Sequence, residues 1–573
     1  MTIEWIHPGL ILIFGALLIP FIRNRKLKQA YFLLLPIIAL IDLLMMQHGS
    51  YWNVNFMEYE LVLGRVDRLS MVFAYVFVIA AICMNIYALH LERDWEHVSA
   101  MMYAGAGLGA VFAGDLFTLY IFWEVMAWAS LFLIWFRGTK AAHNAGFRYI
   151  MWHLAGGVIL LGGIVMYTQS TGSIEFTSFT QFWGTGLCYY LILLGFIINA
   201  AVPPLHPWLA DAYPEATVTG AVYMTAFTTK SAVYVLARGF PGVEILMWLG
   251  AIMAVYGVIF AMLQNDGRRL LAYHIVSQVG YMVCGVGMGI FGLAAGEMAI
   301  NGATAHAFCH ILYKALLFMG MGVVLEVTGK SKFTELGGLY KYMPVTFWLY
   351  MIGAFSISGF PLFNGFVSKT MTVEASAMLH EPIIWLLLEG ASIGTFFCIA
   401  LKLPRNVWFG GEKPASIEVK KPPKNMLAGM GLTAALCVIL GVYPEPLYNI
   451  LPYAVEFVPY TAGHVIAMSQ LFIFAFIPFW IMREKFRGEP EIVLDTDWFV
   501  RKPGRWFIRF CENTLIKYAE FDEKRYFIFP ALFERLSKVI RSIQTGYLTY
   551  YLQIALLIVM VTLVLASIGG MLL

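Results

Sequence analysis

The sequence is poor in charge. Aspartate, glutamate, lysine and arginine make up 13% of its 573 residues, about half the share of a soluble domain, whereas 60% of the residues are hydrophobic. The apolar residues form long runs such as WLGAIMAVYGVIFAML, and one span of a bilayer needs about 20 such residues. This composition excludes a soluble multidomain protein and predicts an all-α protein that crosses a membrane many times. The net charge of +3 gives no indication of a nucleic-acid partner.

The sequence also lacks paired cysteines. Its seven cysteines are scattered and no C-x-x-C pair occurs, so their spacing offers no zinc site, no iron–sulfur site and no disulfide framework. We expect them to be small core residues, and we predict neither a metal nor a cofactor. The first apolar run has no basic stretch before it and no A-x-A cleavage site after it, which predicts a first span rather than a cleaved signal peptide.

The apolar windows predict about sixteen helices. Their approximate centres are residues 15, 38, 80, 105, 126, 157, 198, 227, 254, 282, 312, 361, 394, 434, 472 and 560. The loops between them differ sharply in charge: up to the fifteenth span, loops after odd-numbered spans hold nineteen lysines and arginines, and loops after even-numbered spans hold three. Under the positive-inside rule this difference places the N-terminus and the C-terminus on the outer side.

The segment 485–548 differs from the spans before it because charged and aromatic residues interleave along it. At helical spacing this pattern predicts amphipathic helices that lie in the membrane interface, on the inner side. A small cytoplasmic appendage is the alternative interpretation. A last span follows from about Tyr550.

Ionisable residues lie deep inside several predicted spans, where each costs about 3 kcal/mol or more. They are Glu124 in the fifth span, Lys230 in the eighth, His306, His310 and Lys314 in the eleventh, and Lys369 in the twelfth. The three in the eleventh span, here called the stripe, are four residues apart and so share one helix face over about 12 Å. A single such residue is explained by a buried ion pair or by snorkelling to the headgroups. A set spread over four helices favours a function.

Two spans contain helix-breaking residues. They are Pro203, Pro204 and Pro207 in the seventh span and Gly359, Pro361 and Gly365 in the twelfth. A proline leaves a backbone carbonyl unpaired, and in hydrocarbon such a group is tolerated only where protein or water satisfies it. Because the breaks lie five spans apart, they predict two five-helix repeats, spans 4–8 and 9–13, with an ion path near the breaks.

The residue types in these spans suit proton transfer. Histidine titrates near neutrality and can pass a proton between its two ring nitrogens. A low-dielectric interior disfavours the charged form of lysine, and a nearby glutamate favours it again. Waters between groups about 6 Å apart, the rise over four helical residues, would complete a proton wire. The stripe therefore predicts part of a proton relay.

Four stretches, in this order, resemble the antiporter-like subunits shared by respiratory complex I and Mrp-type Na⁺/H⁺ antiporters. They are PLHPWLADAYPEATVTGAVYMTAFTTKSAVYVLAR, DGRRLLAYHIVSQVGYM, HAFCHILYKALLF and SGFPLFNGFVSK. The resemblance covers about residues 65 to 405. It implies a fourteen-helix core with two inverted five-helix repeats, broken helices 7 and 12, and a proton path along the middle plane of the membrane.

The resemblance also implies roles for single residues. Glu124 matches the glutamate of the family's fifth helix, Lys230 matches the lysine of the eighth, and Lys369 matches the terminal charge that exchanges protons with one side. His306, His310 and Lys314 match the set of residues on the family's eleventh helix. His206 matches the histidine of the family's proline-broken seventh helix.

The sequence departs from the family pattern at two places. Asn199 stands where the family has a lysine that pairs with the fifth-helix glutamate. An asparagine can hydrogen-bond a water or Glu124 but cannot carry a proton's charge, so either another base such as Lys230 takes over or coupling through this half is altered. In DGRRLLAYH, Arg268 replaces a lysine and His274 adds a titratable group, which is either a core residue or part of the path.

The predicted organisation follows from these elements. The divisions are 1–95 with helices 1–3, 96–240 with the first repeat, 241–405 with the second repeat, 406–484 with helices 14 and 15, 485–548 with the amphipathic segment, and 549–573 with the last span.

The leading hypothesis is a proton-translocating, non-enzymatic subunit of a multi-subunit Na⁺/H⁺ antiporter in a prokaryotic inner membrane, assembled with other membrane subunits. The sequence has no buried acidic cluster suited to sodium, which favours protons as this chain's own cargo. Two alternatives stay open. One is a proton-pumping subunit of a redox-driven complex such as complex I or a membrane-bound hydrogenase, with no cofactor of its own. The other is a mainly structural subunit, or the membrane partner of an inorganic-carbon uptake system.

Overall fold

A computed structural model describes residues 6–290, 292–411, 414, 418–489, 493–543 and 546–571. The chain divides into two compact units, Met1–Asp495 and Thr496–Leu573. Residues 490–492 and 544–545 of the predicted amphipathic segment lie outside the described residues.

The first unit is built from helices and one β-hairpin. Up to the sixth span its elements are α1 (Pro8–Leu17), α2 (Arg25–Met45), β1 (Gly49–Phe56), β2 (Tyr59–Val66), α3 (Arg68–Ala88), α4 (Asp94–Phe112), α5 (Leu116–Trp135) and α6 (Lys140–Thr171). The antiparallel hairpin β1–β2 pairs Gly49 with Val66 at its open end. It fills the loop between the second and third spans and was not predicted.

The middle of the chain carries the predicted first break and the stripe. Its helices are α7 (Leu187–Asn199), α8 (Pro207–Ala212), α9 (Val218–Met224), α10 (Thr228–Gly239), α11 (Glu244–Leu263), α12 (Gly267–Gly287) and α13 (Ala294–Thr328). The unit continues with α14 (Pro344–Ser358), α15 (Asn364–Met378), α16 (Pro382–Phe396), α17 (Lys424–Val442), α18 (Glu445–Tyr448) and α19 (Ala462–Met482). Two π-helical segments, Phe397–Lys402 and Arg405–Phe409, extend the span that α16 begins.

Local sequence sets several helix starts. Asp67 begins α3 with a reciprocal capping box, in which its carboxylate accepts from the Ser70 amide and the Ser70 hydroxyl accepts from the Asp67 amide. Asp266 begins α12 by accepting from the amides of Arg268 and Arg269. These acidic caps satisfy amides that would otherwise be unpaired at the helix ends.

The helices confirm the predicted class, an all-α protein that crosses a membrane many times. Among the described residues, eleven helices are long and apolar enough to span a membrane. Every one of the sixteen predicted centres falls on a helix or at the junction inside a broken one. The breaks in the seventh and twelfth spans are observed between Asn199 and Pro207 and between Ser358 and Asn364. The division into two inverted repeats stays a prediction.

The centre of the first unit is formed by α12 and α13. The most apolar 18-residue windows of these helices are 100% and 94% buried, and α13 packs against α12, α14, α15 and α17. Polar groups on α12 and α13 are therefore enclosed by protein rather than by lipid.

The second unit consists of α20 (Asp497–Arg501), α21 (Pro503–Phe510), a π-helical turn (Cys511–Leu515), α22 (Ile516–Ile543) and α23 (Leu548–Met571). The 24 residues of α23 form an apolar helix, as expected for a last span. The 28 residues of α22 mix charged and apolar side chains, a composition that suits the predicted amphipathic segment. Its location in a membrane interface stays a prediction.

Candidate proton-transfer site

The stripe lies on one uninterrupted helix. Because α13 contains no proline, it continues for 35 residues. His306, His310 and Lys314 are each 0% exposed, and the ring centroids of the two histidines are 6.2 Å apart. Three ionisable side chains thus follow one another through the centre of the unit.

His306 connects α13 to its neighbours. Its Nδ1 lies 3.2 Å from the Ser368 hydroxyl on α15, and its Nε2 lies 3.3 Å from the Tyr313 hydroxyl. Tyr313 in turn donates to Gln278 on α12 at 3.4 Å. Ser368, Tyr313 and Gln278 were not predicted, because uncharged polar residues in a helix give no distinctive signal in the sequence.

The other two members of the stripe are buried without hydrogen-bond partners among the described residues. In the described part of the chain, no hydrogen-bond partner is found for either ring nitrogen of His310 or for the Nζ of Lys314. Burying such groups costs free energy unless they are paired, and native proteins leave few of them unpaired. Their presence at the centre of the fold is therefore explained better by function than by stability.

Lys230 lies at a third helix break, which was not predicted. The eighth span is interrupted between α9 and α10, and Lys230 Nζ donates to the Thr225 carbonyl in this interruption at 2.6 Å and to the Thr229 hydroxyl at 3.1 Å. The ammonium group thus satisfies a carbonyl that the break leaves without an amide. The helix that carries Lys230, α10, packs against α13, so the structure brings Lys230 close to the stripe.

Lys369 is at the other end of this group. It follows the break in the twelfth span, and its Nζ lies 4.7 Å from the ring centroid of Tyr281, a cation–π distance. Its charge acts on His306. No hydrogen-bond partner of Lys369 Nζ is found among the described residues.

Lys369 lines a cavity of about 150 Å³ together with Glu374, Glu389 and His464. Glu374 and His464, 3.6 Å apart at Oε2 and Nε2, also line a neighbouring cavity of about 490 Å³. The two cavities lie near the end of α15 and the beginning of α19. Glu374 and His464 thus line both the cavity beside Lys369 and a second cavity at that end of the bundle. None of the three partner residues was predicted.

His274 belongs to the same group of residues. It is 0% exposed on α12, and the charges of Lys314 and Lys369 act on it. Both of its ring nitrogens are without a hydrogen-bond partner in the part of the chain that is described. The sequence left a core role and a path role open for His274, and both stay open.

Glu124 lies apart from this group, against α6. A Cβ atom added to Gly157 of α6 would be 2.1 Å from Glu124 Oε1, so the carboxylate occupies the space that the glycine leaves. No described residue forms a hydrogen bond with that oxygen. The Lys230 ammonium donates to Thr225 and Thr229, and among the described residues it forms no ion pair with Glu124.

A buried histidine that the sequence analysis missed lies one helical turn before Gly157. His153 is 2% exposed, its ring centroid is 4.7 Å from that of Trp208, and the Asn199 side chain lies beside it. The sequence contained a signal, since His153 is close to the predicted centre of the sixth span at residue 157. The uncharged Asn199 thus has a titratable neighbour on another helix.

His206 lies at the end of the break in the seventh span, where it immediately precedes α8. The break is held by Trp208, whose indole N–H donates to the Ile198 carbonyl at 2.9 Å. His206 Nε2 lies 2.9 Å from Oδ2 of Asp495, a residue of the predicted amphipathic segment. The structure therefore places Asp495 inside the bundle.

The predicted site residues thus form two groups. One contains Lys230, the stripe, His274 and Lys369; the other contains Glu124 and Asn199 with the added His153. His206 and Asp495 adjoin α8.

This architecture and these residues agree with a known family of membrane proteins. The sequence profile of the family described as NADH:quinone oxidoreductase/Mrp antiporter, TM, matches residues 113–397, which include Glu124, Lys230, the stripe and Lys369. The chain belongs to this family, as predicted.

Two curated relatives illustrate the range of the family. One of the Na⁺/H⁺ antiporter subunits of Alkalihalophilus pseudofirmus is 30% identical over 520 residues, which are 80% of this chain and 63% of the relative. Hydrogenase-4 component B of Escherichia coli is 28% identical over 417 residues, 66% of this chain and 62% of the relative. The chain therefore spans less than two thirds of each relative's length.

A solved structure shares the fold over nearly the whole chain. A chain of the membrane-bound sulfane sulfur reductase, an archaeal respiratory membrane complex, matches with a TM-score of 0.71 at 24% identity, covering 97% of this chain and 99% of that chain.

Proposed function

We propose that the chain is the proton-translocating subunit of a multi-subunit membrane complex and that protons pass between Lys230, the stripe and Lys369. One observation carries this proposal. Lys230, His306, His310, Lys314 and Lys369 are at most 2% exposed. They lie on α10, α13 and α15, and α13 packs against the other two helices, with Lys369 lining a cavity at one end of the series.

The chemistry of the series follows from like charge in a low-dielectric interior. Two ammonium groups repel each other strongly when water does not screen them. A proton that arrives at Lys230 therefore favours the departure of a proton from Lys314 or from a histidine of the stripe. The imidazoles accept at one nitrogen and release at the other. The proton reaches Lys369 and leaves along Glu389, Glu374 and His464.

The complex is proposed to be a Na⁺/H⁺ antiporter in which another chain handles the cation. The alternative is a redox-driven complex of the complex I or membrane-bound hydrogenase type, in which this chain carries no cofactor. The family includes both kinds of protein, and the relatives do not favour one over the other. Mass spectrometry of the native assembly separates the two, since quinone-reducing or nickel–iron subunits would identify the redox complex.

The chain is further proposed to lie in a prokaryotic inner membrane with both termini outside, on the basis of the lysine and arginine distribution. In this orientation the cavities beside Lys369 face the outer side. Two five-helix repeats, residues 96–240 and 241–405, would place one interrupted span fourth in each.

The test uses membrane vesicles that carry the native assembly. Proton movement coupled to the cation gradient, or to the redox reaction, is compared for wild type, Lys369→Ala, Glu124→Ala and Lys341→Ala. Lys341 is exposed and provides a matched lysine control. We expect loss of transport in the first two variants and wild-type transport in the third. Unchanged transport in Lys369→Ala and Glu124→Ala would reject the proposal.

A further inference from the structure

A carboxylate from far along the chain completes a second titratable site at the break of the seventh span. Asp495 is 289 residues from His206 and is the last residue of the first unit. Its side chain is nevertheless only 4% exposed, and the His206 side chain is 0% exposed. A carboxylate this buried requires strong partners.

The partners come from three helical elements. Asp495 Oδ2 accepts from His206 Nε2, immediately before α8, at 2.9 Å and from the Tyr273 hydroxyl of α12. Asp495 Oδ1 accepts from the Tyr256 hydroxyl of α11. The His206 ring centroid is 4.9 Å from that of Tyr256 and 6.1 Å from that of Tyr273. The carboxylate is therefore held at both oxygens.

These contacts keep Asp495 ionised. Burial raises the pKa of Asp495, but the hydrogen bond and charge of His206 together with the two tyrosine hydroxyls outweigh burial and hold that pKa below its usual value. Asp495 is thus a fixed anion at neutral pH.

The geometry also determines which nitrogen of His206 exchanges protons. An ionised carboxylate only accepts hydrogen bonds, so His206 Nε2 carries the hydrogen that faces Asp495. His206 Nδ1 is buried and has no hydrogen-bond partner among the described residues. A carboxylate that orients an imidazole and stabilises its protonated form is a known catalytic arrangement.

We propose that Asp495 is a positioning residue for proton transfer at the break of the seventh span: it holds His206 in one orientation and stabilises the imidazolium, so that His206 takes up and passes on protons at Nδ1. The proposal rests on the proposed function for the nature of the cargo. It adds a transfer site outside the series from Lys230 to Lys369.

The test compares Asp495→Asn with Asp497→Asn, a carboxylate two residues away that pairs with Arg501. Transport by the native assembly in vesicles is measured from pH 5.5 to 9, with the amount of assembled complex as the reference. In Asp495→Asn we expect about tenfold slower transport at pH 8, recovery at acidic pH, and an activity profile whose alkaline side lies about one unit lower, because tenfold corresponds to one pH unit. Asp497→Asn should behave as wild type.

Two further variants separate positioning from a merely structural contact. His206→Gln should lose the pH-dependent component, and His206→Gln with Asp495→Asn should be no slower than His206→Gln alone, because the two residues act as one unit. Tyr256→Phe leaves the ion pair in place and should lose less activity without moving the profile.

The opposite results would overturn the proposal. If Asp495→Asn transports at the same rate as Asp497→Asn, Asp495 has no positioning role. The same holds if Asp495→Asn is slower than wild type by one constant factor at every pH. If Asp495→Asn does not assemble, Tyr256→Phe decides. Because this variant keeps the ion pair, a displaced activity profile in Tyr256→Phe would also leave Asp495 without a positioning role. If Lys369→Ala abolishes transport in the same vesicles, such a result rejects only the role of Asp495. If Lys369→Ala also transports normally, the proposed function falls with it.

Discussion

The interrupted seventh and twelfth spans hold their charged groups in opposite ways. In the twelfth span Lys369 follows the break on its own helix, has no hydrogen-bond partner among the described residues, and lies beside a cavity. In the seventh span His206 lies next to the break and pairs with Asp495. One break thus presents a lysine to a cavity, and the other holds an imidazole against a carboxylate.

The backbones of the two breaks are more alike than their charges. Each contains one non-glycine residue in the left-handed region, Ala201 with φ 57° and Leu362 with φ 74°, a conformation that costs free energy and occurs often at functional sites. An interruption therefore supplies room and backbone polar groups, whereas the neighbouring side chains decide whether the site opens to a cavity or is held closed.

The largest expected effect concerns the open end at Lys369. Lys369→Met removes the titratable group and Lys369→Arg keeps a charge that does not release its proton. Both should slow proton transfer by about 100-fold, the scale of losing a general acid–base group, in the vesicle assay. Normal transport by Lys369→Arg would show that Lys369 acts only as a fixed charge.

The next effect concerns the backbone of the twelfth-span break. A Cβ atom at Gly365 would lie 1.7 Å from the Ser356 carbonyl oxygen, whereas one at Gly390 of α16 would meet no atom within 4 Å. Gly365→Ala should destabilise the fold by about 3 kcal/mol, measured as a lower unfolding temperature of the purified assembly, and Gly390→Ala should not. Equal stability of the two variants would contradict the observed close approach.

A smaller effect is expected when Glu124, in the group that adjoins the seventh span, is displaced rather than removed. Gly157→Ala would displace the carboxylate from its position against α6, and we expect about fivefold slower transport, equivalent to about 1 kcal/mol. Gly162→Ala on the same helix is the control, because a Cβ there would meet nothing within 4 Å. Similar rates for the two variants would mean that the position of Glu124 against Gly157 is unimportant.

The smallest effect concerns the hydrogen bond that holds the seventh-span break. Trp208→Phe removes the N–H that satisfies the Ile198 carbonyl, which should cost about 1 kcal/mol of stability. Trp348→Phe, at a residue that is 58% exposed, is the control in the same unfolding measurement. A stable Trp208→Phe variant would indicate that another group satisfies this carbonyl.

The predictable part of the site consists of residues whose signal is local. A lysine or histidine in an apolar run is visible in the sequence, and so is a proline or glycine that interrupts one. Lys230 was found in this way, but the break beside it was not, because Thr225, Ala226 and Phe227 include no helix-breaking residue. His153 was visible by the same criterion and was overlooked.

The remaining parts of the site depend on distant contacts. Glu389 is important only because α16 packs beside α15 and faces Lys369, and Asp495 only because the chain returns to α8 after α19. The charged and aromatic pattern around Asp495 predicted a position in the membrane interface, yet its carboxylate accepts hydrogen bonds from His206, Tyr256 and Tyr273.

By itself, the sequence determined that this is a protein of many membrane spans, two of them broken, with ionisable groups inside. These properties depend on the free-energy cost of exposing polar groups to lipid, and the residues of each segment set that cost independently of the other segments. Only the tertiary structure decided which of those groups meet, which stay unpaired and which receive a counter-charge, because electrostatic interactions in a low-dielectric interior depend on distances between residues that the order of the chain does not contain.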